Sequence, residues 1–153
     1  MKNLKIKTNL RKVAIIFACL AVTAAVCTTW AQTPATTTIK FDGGSLQATG
    51  FGKTPIVPDG MTENDRSYIL HIKYTLNSNA DSEAERNKFT TMLRDEGQFV
   101  APNGKIYKSG MSLVHKQEPV CMLIVAVPNS LDANSLKFSF KGMTIELKDV
   151  KKL

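Results

Sequence analysis

The stretch SLKFSFKGMTIELK, residues 135–148, alternates apolar and polar side chains on both sides of a glycine. Leucine and phenylalanine alternate with serine and lysine as far as Lys141, and isoleucine and leucine alternate with threonine, glutamate and lysine as far as Lys148. A period of two is typical of a strand with one buried face. Because Gly142 separates the two runs, the stretch predicts a β-hairpin.

Further strands are indicated on the N-terminal side of this hairpin. Ser67 to Leu76 alternates in the same way, and Val120 to Val127 is apolar on both faces, which predicts an inner strand covered on each side. A Pro-Asn-Gly turn at 102–104 separates two short apolar runs, and a first strand is expected near Thr38 to Phe41. Short strands separated by turn residues predict a mainly β fold, an antiparallel immunoglobulin-like β-sandwich.

Residues 82–96 form the exception and predict one possible short helix. Ser82 and Glu85 have the spacing of a capping box, and Gly97 lies where a helix would end. Three apolar side chains beginning with Phe89 have helical spacing. Alternate residues of the same stretch also fit a strand, so the pattern leaves both structures open.

The N-terminal region predicts an exported protein. Five basic residues precede the uncharged apolar run Val13 to Val26, and the small residues Thr29 and Ala31 precede Gln32. This arrangement is typical of a cleaved signal peptide at residues 1–31. Residues 32–37 are rich in Thr, Ala and Pro and read as a short linker, and residues 38–153 form a single sandwich domain. We expect a periplasmic or secreted product.

Two other interpretations of the N-terminal region have less support from the sequence. An uncleaved anchor is disfavoured because the strongly apolar part is short for about 30 Å of hydrocarbon. Lipid attachment is disfavoured because Val26 stands before Cys27 where a lipobox has a small residue, while Cys19 follows only six apolar residues. The mature chain is expected to have no transmembrane segment.

Removing the signal peptide changes the charge and the cysteine count. The chain has 20 basic and 13 acidic residues, net +7, and without the five basic residues of the leader the net charge is +2. This balance argues against a nucleic-acid partner. The Lys151-Lys152 pair reads as a solubilising end. Cys121 becomes the single thiol, so no internal disulfide is expected, and its apolar neighbours predict burial.

The motifs that could carry chemistry are all incomplete. Gly52-Lys53-Thr54 ends like a phosphate-binding loop, but Gln47 occupies the place of the first glycine and prolines follow. His71 and His115 each lack a local partner and read as surface residues. The acidic loop 59–65 lacks EF-hand spacing. No serine lies in a Gly-x-Ser-x-Gly elbow. We therefore assign no catalytic, cofactor-binding or metal residue and expect no cofactor.

Several of these segments together resemble a known family. Asn77-Ser78-Asn79 after a strand, FVAPNGKIY at 99–107, LIVAVP at 123–128 and the closing hairpin are similar to the bacterial DUF4352-type, telokin-like secreted immunoglobulin-like domains. The resemblance covers Ser67 to Leu147. It implies a sandwich fold and a role in binding or assembly, and it supplies no catalytic residues. Residues 81–96 look like an insertion relative to this family.

These observations lead to two expected functions. The first is a non-enzymatic binding or interaction module of the cell envelope or exterior, whose partner is another protein or an envelope component. It would use an exposed sheet edge or the loops, with Phe51 to Arg66 and Lys108 to Glu118 as the expected contact surfaces. The alternative is a small secreted hydrolase, or a hydrolase inhibitor, with a site built from loops.

Overall fold

The computed structural model describes residues 37–77, 82–115 and 118–153. The predicted signal peptide and nearly all of the linker lie outside these residues. The described strands and helix are β1 Thr38–Phe41, β2 Gly44–Lys53, β3 Asp65–Leu76, α1 Glu83–Glu96, β4 Gln98–Val100, β5 Ile106–Lys108, β6 Met111–Val114, β7 Val120–Pro128, β8 Lys137–Phe140 and β9 Met143–Glu146. Short 3-10 turns span Ala133–Ser135 and Leu147–Asp149.

The strands form two antiparallel sheets, which confirms the predicted β-sandwich. The five-stranded sheet has the order β1-β2-β3-β7-β6, and the four-stranded sheet has the order β5-β4-β8-β9. The hairpin predicted from residues 135–148 is β8 and β9, with Phe138 opposite Ile145. Lys141 and Gly142 both have positive φ at its turn, 51° and 76°. A two-residue turn of this kind matches the right-handed twist of paired strands.

Strand β7 is buried on both faces near its middle, as its composition predicts. Cys121, Leu123 and Val125 belong to the core between the sheets. Ile124 points to the opposite face, where it lies beside Ile69 of β3, and it is also fully buried. The strand lies inside the five-stranded sheet between β3 and β6.

The segment 82–96 is a helix, which decides between the two structures that its sequence allowed. The Ser82 hydroxyl accepts a hydrogen bond from the Glu85 backbone N–H at 3.2 Å, as the capping-box spacing predicts. At the other end the Gly97 N–H donates to the Leu93 carbonyl at 2.9 Å. Phe89 and Leu93, one helical turn apart, are both buried. A strand would have placed the exposed Thr91 on the same face as these two residues.

Aromatic side chains attach the helix to the sandwich. The Phe89 ring stacks on Phe41 of β1 at a centroid distance of 5.5 Å and lies 4.8 Å from the Tyr74 ring of β3. Phe140 of β8 meets it edge-on at 6.2 Å. Since these partners come from both sheets, the helix closes the sandwich near the end of β3. Each aromatic pair of this kind contributes about 0.5–1.5 kcal/mol of stability beyond the contribution of the apolar area that it buries.

The segment Lys151–Leu153 pairs with β2 near its C-terminal end, at Phe51, which the sequence did not predict. The Phe51 N–H donates to the Lys151 carbonyl at 2.9 Å, and the Leu153 N–H donates to the Phe51 carbonyl at 3.2 Å. Leu153 lies against Gly50 and Gly52, because a Cβ atom on either glycine would come within 2.6 Å or 2.8 Å of it. The two lysines are exposed, as expected of a solubilising end, but their backbone also extends the sheet.

Candidate functional site

The first expected contact segment, Phe51 to Arg66, is a loop between β2 and β3 with strand residues at both ends. Pro58 is buried within it, and the Met61 N–H donates to the Pro58 carbonyl at 3.3 Å. The Asn64 carbonyl accepts a hydrogen bond from the Asn129 N–H at 2.8 Å, just beyond β7. The loop is therefore held at both of its turns by backbone hydrogen bonds.

The second expected contact segment, Lys108 to Glu118, contains strand β6 in addition to loop residues. Before that strand, the Gly110 N–H and the Ser109 hydroxyl both donate to the Ile124 carbonyl, at 2.9 Å and 3.1 Å. A Cβ atom on Gly110 would lie 2.8 Å from the Pro58 Cβ. The two segments therefore touch directly at Pro58 and Gly110, and glycine permits that close approach.

A cleft of about 320 Å³ lies where these segments meet, at the start of β3 and the end of β7. We call it the loop cleft. Its walls come from the first segment, the second segment, β5 and the end of β7. The lining residues are Pro58, Asp59, Gly60, Asp65, Lys105, Tyr107, Lys108, Gly110, Ala126 and Pro128.

Opposite charges line the two walls of the loop cleft. Lys105 and Lys108 stand on the β5 side, and Asp59 and Asp65 stand on the side of the first segment. The Lys105 ammonium lies 5.1 Å from the centroid of the Tyr107 ring, within the range of a cation–π contact. Tyr107 itself packs partly against the core. The cleft therefore combines a half-buried aromatic side chain with both signs of charge.

Asp65 is fixed by its own loop. Its carboxylate accepts hydrogen bonds from the Thr62 hydroxyl at 2.7 Å and from the Thr62 backbone N–H at 2.9 Å. These two bonds, with a smaller contribution from the charge of Lys105, hold the pKa of Asp65 below its ordinary value of 3.8. The carboxylate is consequently charged at neutral pH and oriented within the loop.

Lys108 links the loop cleft to the helix. Its ammonium donates a hydrogen bond to the Asp95 backbone carbonyl at 3.0 Å, in the last turn of α1. A cation is favoured at a helix C-terminus, where carbonyl groups lack partners within the helix. The Asp95 carboxylate is hydrogen-bonded to Arg94 at 2.8 Å, which lowers the pKa of Asp95.

Sequence reasoning missed the β5 wall of the cleft. Residues 99–107 predicted a turn at Pro102-Asn103-Gly104, and the structure has that turn, with Gly104 at φ 81° and the Asn103 side chain accepting from the Lys105 N–H at 3.0 Å. The pattern contained a signal, since Lys105 and Tyr107 are alternate residues after the turn and so share a face. It could not indicate which other segments that face would meet.

The other candidate motifs lie apart from the loop cleft. Gly52-Lys53-Thr54 ends β2, and the Thr54 N–H donates to the Ser67 carbonyl at 3.1 Å. His71 lies on the outward face of β3 opposite Met122, and His115 is exposed after β6. Within residues 37–77, 82–115 and 118–153, no cluster of three or more His, Cys, Asp or Glu side chains could hold a metal ion.

Cys121 is a buried thiol, which confirms the prediction made from its neighbours. It is fully buried in the core, and loss of hydration raises its pKa from the ordinary value of 9.0 to about 12. At neutral pH the thiolate is therefore scarce, and a thiol without thiolate character is a poor nucleophile. Its role in this fold is that of a small apolar side chain.

A second hollow, of about 520 Å³, lies between α1 and the turn from β1 to β2. Phe41, Leu76, Phe89 and Met92 line it, together with charged residues at its rim. Two of these side chains are the aromatic rings that attach the helix, so the hollow borders the packing contact described above. We therefore take the loop cleft as the candidate site.

The fold and the cleft together define an antiparallel β-sandwich that presents a surface site at the start of β3. No family model, curated protein or solved structure matches the chain. Among the described residues, no helix combines the length and the apolar character needed to cross a bilayer.

Proposed function

We propose that this protein is an exported, non-enzymatic binding module that contacts its partner through the loop cleft. The observation that carries the proposal is that the two segments expected to form contacts meet at Pro58 and Gly110 and enclose one cleft. Loops held on a rigid sheet are common binding surfaces in β-sandwiches. The resemblance to secreted immunoglobulin-like domains supports the same class.

The chemistry of the cleft suits recognition of another protein or of an envelope component. Tyrosine offers a large and partly apolar contact surface with few rotatable bonds, and such residues are frequent at the centre of interfaces. The lysines and aspartates on the two walls favour a partner with complementary charges and disfavour one of uniform charge. Since Asp65 and Lys108 are each held by hydrogen bonds, little side-chain entropy is lost when a partner binds.

The arrangement favours binding over hydrolysis. General acid–base catalysis needs a titratable group within reach of the reacting bond, and histidine is the usual choice. His71 and His115 do not line the cleft, whose charged groups are lysines and aspartates. We expect the purified protein to turn over no ester, peptide or glycan substrate. Turnover that disappears in His71→Ala or His115→Ala would favour the hydrolase instead.

Site-specific photocrosslinking tests the binding proposal. A photoreactive amino acid replaces Lys105 or Asp59, on opposite walls of the cleft, in the full chain expressed in its own cells. We expect both positions to capture the same partner. Lys148, an exposed lysine outside the cleft, is the matched control and should capture none. Different partners from the two walls, or equal capture at Lys148, would refute the cleft as the contact surface.

Export is a separate part of the proposal and has its own test. Mass spectrometry of the protein isolated from the periplasm or the medium should find an N-terminus at Gln32, as the pattern of residues 1–31 predicts. A lipid on Cys27 or Cys19 would show a membrane-attached lipoprotein. An intact N-terminus in the cytoplasmic fraction would contradict export.

A further inference from the structure

The charged side chains of the loop cleft are balanced in number but are not paired with one another. The two walls carry two lysines and two aspartates, so their charges sum to zero. Among the described residues, no ion pair involves any of these four side chains. The charge of Lys105 nevertheless contributes to the lowered pKa of Asp65, so the two groups interact across the space between them. The cleft therefore holds opposite charges apart.

One oxygen of the Asp65 carboxylate is available to a ligand. Both hydrogen bonds from Thr62 end on Oδ2. Within the described part of the chain, no hydrogen bond engages Oδ1. An ionised carboxylate has lone pairs on both oxygens, so Oδ1 can accept from a cation while Thr62 holds the group in place. The aspartate wall thus presents an oriented acceptor.

Lys105 is the counterpart of Asp65 on the other wall. The Lys108 ammonium is already bonded to the Asp95 carbonyl, whereas the Lys105 ammonium has no hydrogen-bond acceptor within residues 37–77, 82–115 and 118–153. An ammonium group has three donors, and charge-assisted bonds to a carboxylate are among the strongest that it forms. Lys105 therefore presents donors to an anion, beside the half-buried Tyr107 ring that offers apolar contact.

The size and the charges of the cleft limit what it can bind. Its volume of about 320 Å³ is near the lower end for small-molecule sites. This is the space of roughly ten water molecules, which is room for about one or two amino-acid residues. A ligand that displaces water from both walls must bring an anion to one and a cation to the other, because a charge that loses its hydration without a partner costs free energy. Neutral ligands and ligands of uniform charge fail this condition.

We propose that the loop cleft binds the zwitterionic group of a short peptide, with the peptide ammonium on Asp65 Oδ1 and the peptide carboxylate on Lys105. An apolar side chain of the peptide packs on the Tyr107 ring. This inference rests on the proposed function and narrows it, since it states which chemical group the partner presents to the cleft. The group belongs to a free peptide or to a larger envelope component that carries such a peptide.

Titration of the protein produced from the full chain, followed by nuclear magnetic resonance, tests both contacts. The probe is the dipeptide alanyl-leucine with free ends, and we expect a Kd of about 1 mM or below. Acetylation of its amino end or amidation of its carboxyl end removes one charge, and each should weaken binding about fivefold or more. Absence of binding at up to about 10 mM, or equal binding of all three peptides, overturns the inference.

Two substitutions assign the contacts to their residues. Lys105→Gln should make the free dipeptide bind no better than its amide, while acetylation still weakens binding. Asp65→Asn should do the reverse. Lys148→Gln, at an exposed lysine outside the cleft, is the matched control and should leave all three affinities unchanged. Binding that neither cleft substitution alters overturns the assignment. The blocked peptides test the same contacts on the unaltered protein, so the result does not depend on the folding of a variant.

Photocrosslinking in cells identifies the source of the group and separates this inference from the proposed function. A photoreactive residue at Asp59 leaves both assigned contacts in place, and mass spectrometry identifies what it captures. A small peptide adduct shows a free peptide, and a large adduct containing a peptide with free amino and carboxyl groups shows an envelope component; either supports the inference. A captured partner without such a group overturns this inference alone, whereas capture equal to that at Lys148 refutes the proposed function.

Discussion

The pairing of Lys151–Leu153 with β2 gives a quantitative prediction for Gly52→Ala. A Cβ atom on Gly52 would lie 2.8 Å from the Leu153 Cβ and 2.9 Å from the Leu153 carbonyl oxygen. Because one of these neighbours is a backbone atom, the segment cannot relieve the clash by rotating a side chain. The substitution should therefore displace the segment and break both of its hydrogen bonds to Phe51.

The cost follows from the contacts that are lost. Two backbone hydrogen bonds contribute about 1 kcal/mol each. Leu153 is 56 % exposed, and covering the rest of its side chain contributes about 1 kcal/mol more. The lost contacts therefore amount to about 3 kcal/mol. Part of this loss is offset, because alanine stabilises a strand position by about 0.5–1 kcal/mol relative to glycine. Gly52→Ala should thus lower the free energy of unfolding by about 2 kcal/mol.

Urea unfolding, followed by far-ultraviolet circular dichroism, measures this change and isolates its cause. In a chain that ends at Val150 the clash is absent, so Gly52→Ala should become neutral or slightly stabilising. Gly50→Ala is the matched control: its Cβ would meet only the Leu153 side chain, which can rotate, so it should cost less than half as much. An equal cost of Gly52→Ala in the full and shortened chains would refute the reasoning.

Three other predictions concern the core and the loop cleft. Phe89→Ala should cost about 3–5 kcal/mol in urea unfolding because a buried ring and its aromatic contacts are lost, whereas Thr91→Ala on the exposed side of the helix should change stability by less than about 1 kcal/mol. Cys121 should react with Ellman's reagent only after unfolding. Because its pKa is raised to about 12 in the folded protein, its contribution to the free energy of unfolding is complete below pH 9 and is lost as the pH rises toward 12. Unfolding measured as a function of pH, compared with Cys121→Ala, would detect this loss. Because the pKa of Asp65 is lowered, its contribution to the free energy of unfolding is present above pH 4 and is lost as the pH falls through its folded-state pKa. Asp65→Asn should therefore reduce the loss of stability on the acid side of the pH profile. An unchanged loss of stability at acid pH would contradict the role of the hydrogen bonds from Thr62.

The elements that the sequence predicted well are those determined by neighbouring residues. The hairpin around Gly142 needs a positive φ and alternating side chains, and both are local properties. The helix 83–96 depends on the Ser82 cap and on Phe89 and Leu93 one turn apart. The alternating pattern of Thr91 competed with these signals because a short segment can satisfy both periods. The contact of Phe89 with the core favours the helix over the strand.

The parts that the sequence did not predict depend on contacts between distant residues. The packing of the two sheets brings β5 close to β7, and this places Lys105 and Tyr107 beside Asp65, some forty residues earlier in the chain. We expected a contact loop at Lys108 to Glu118, and the apolar stretch MSLV within it is too short to display a period that would indicate a strand. The pairing with β7 shows that MSLV is a strand, and the strand order places it last in the five-stranded sheet.

The link between Phe51 and Lys152 also bears on the kinetics of folding. These residues are about a hundred positions apart, so their pairing carries a large loop-closure entropy and is expected to form late, after the sheets have assembled. An interaction absent from the transition state changes the unfolding rate and leaves the folding rate nearly constant. We therefore expect residues 151–153 to slow unfolding of the native state without speeding its folding.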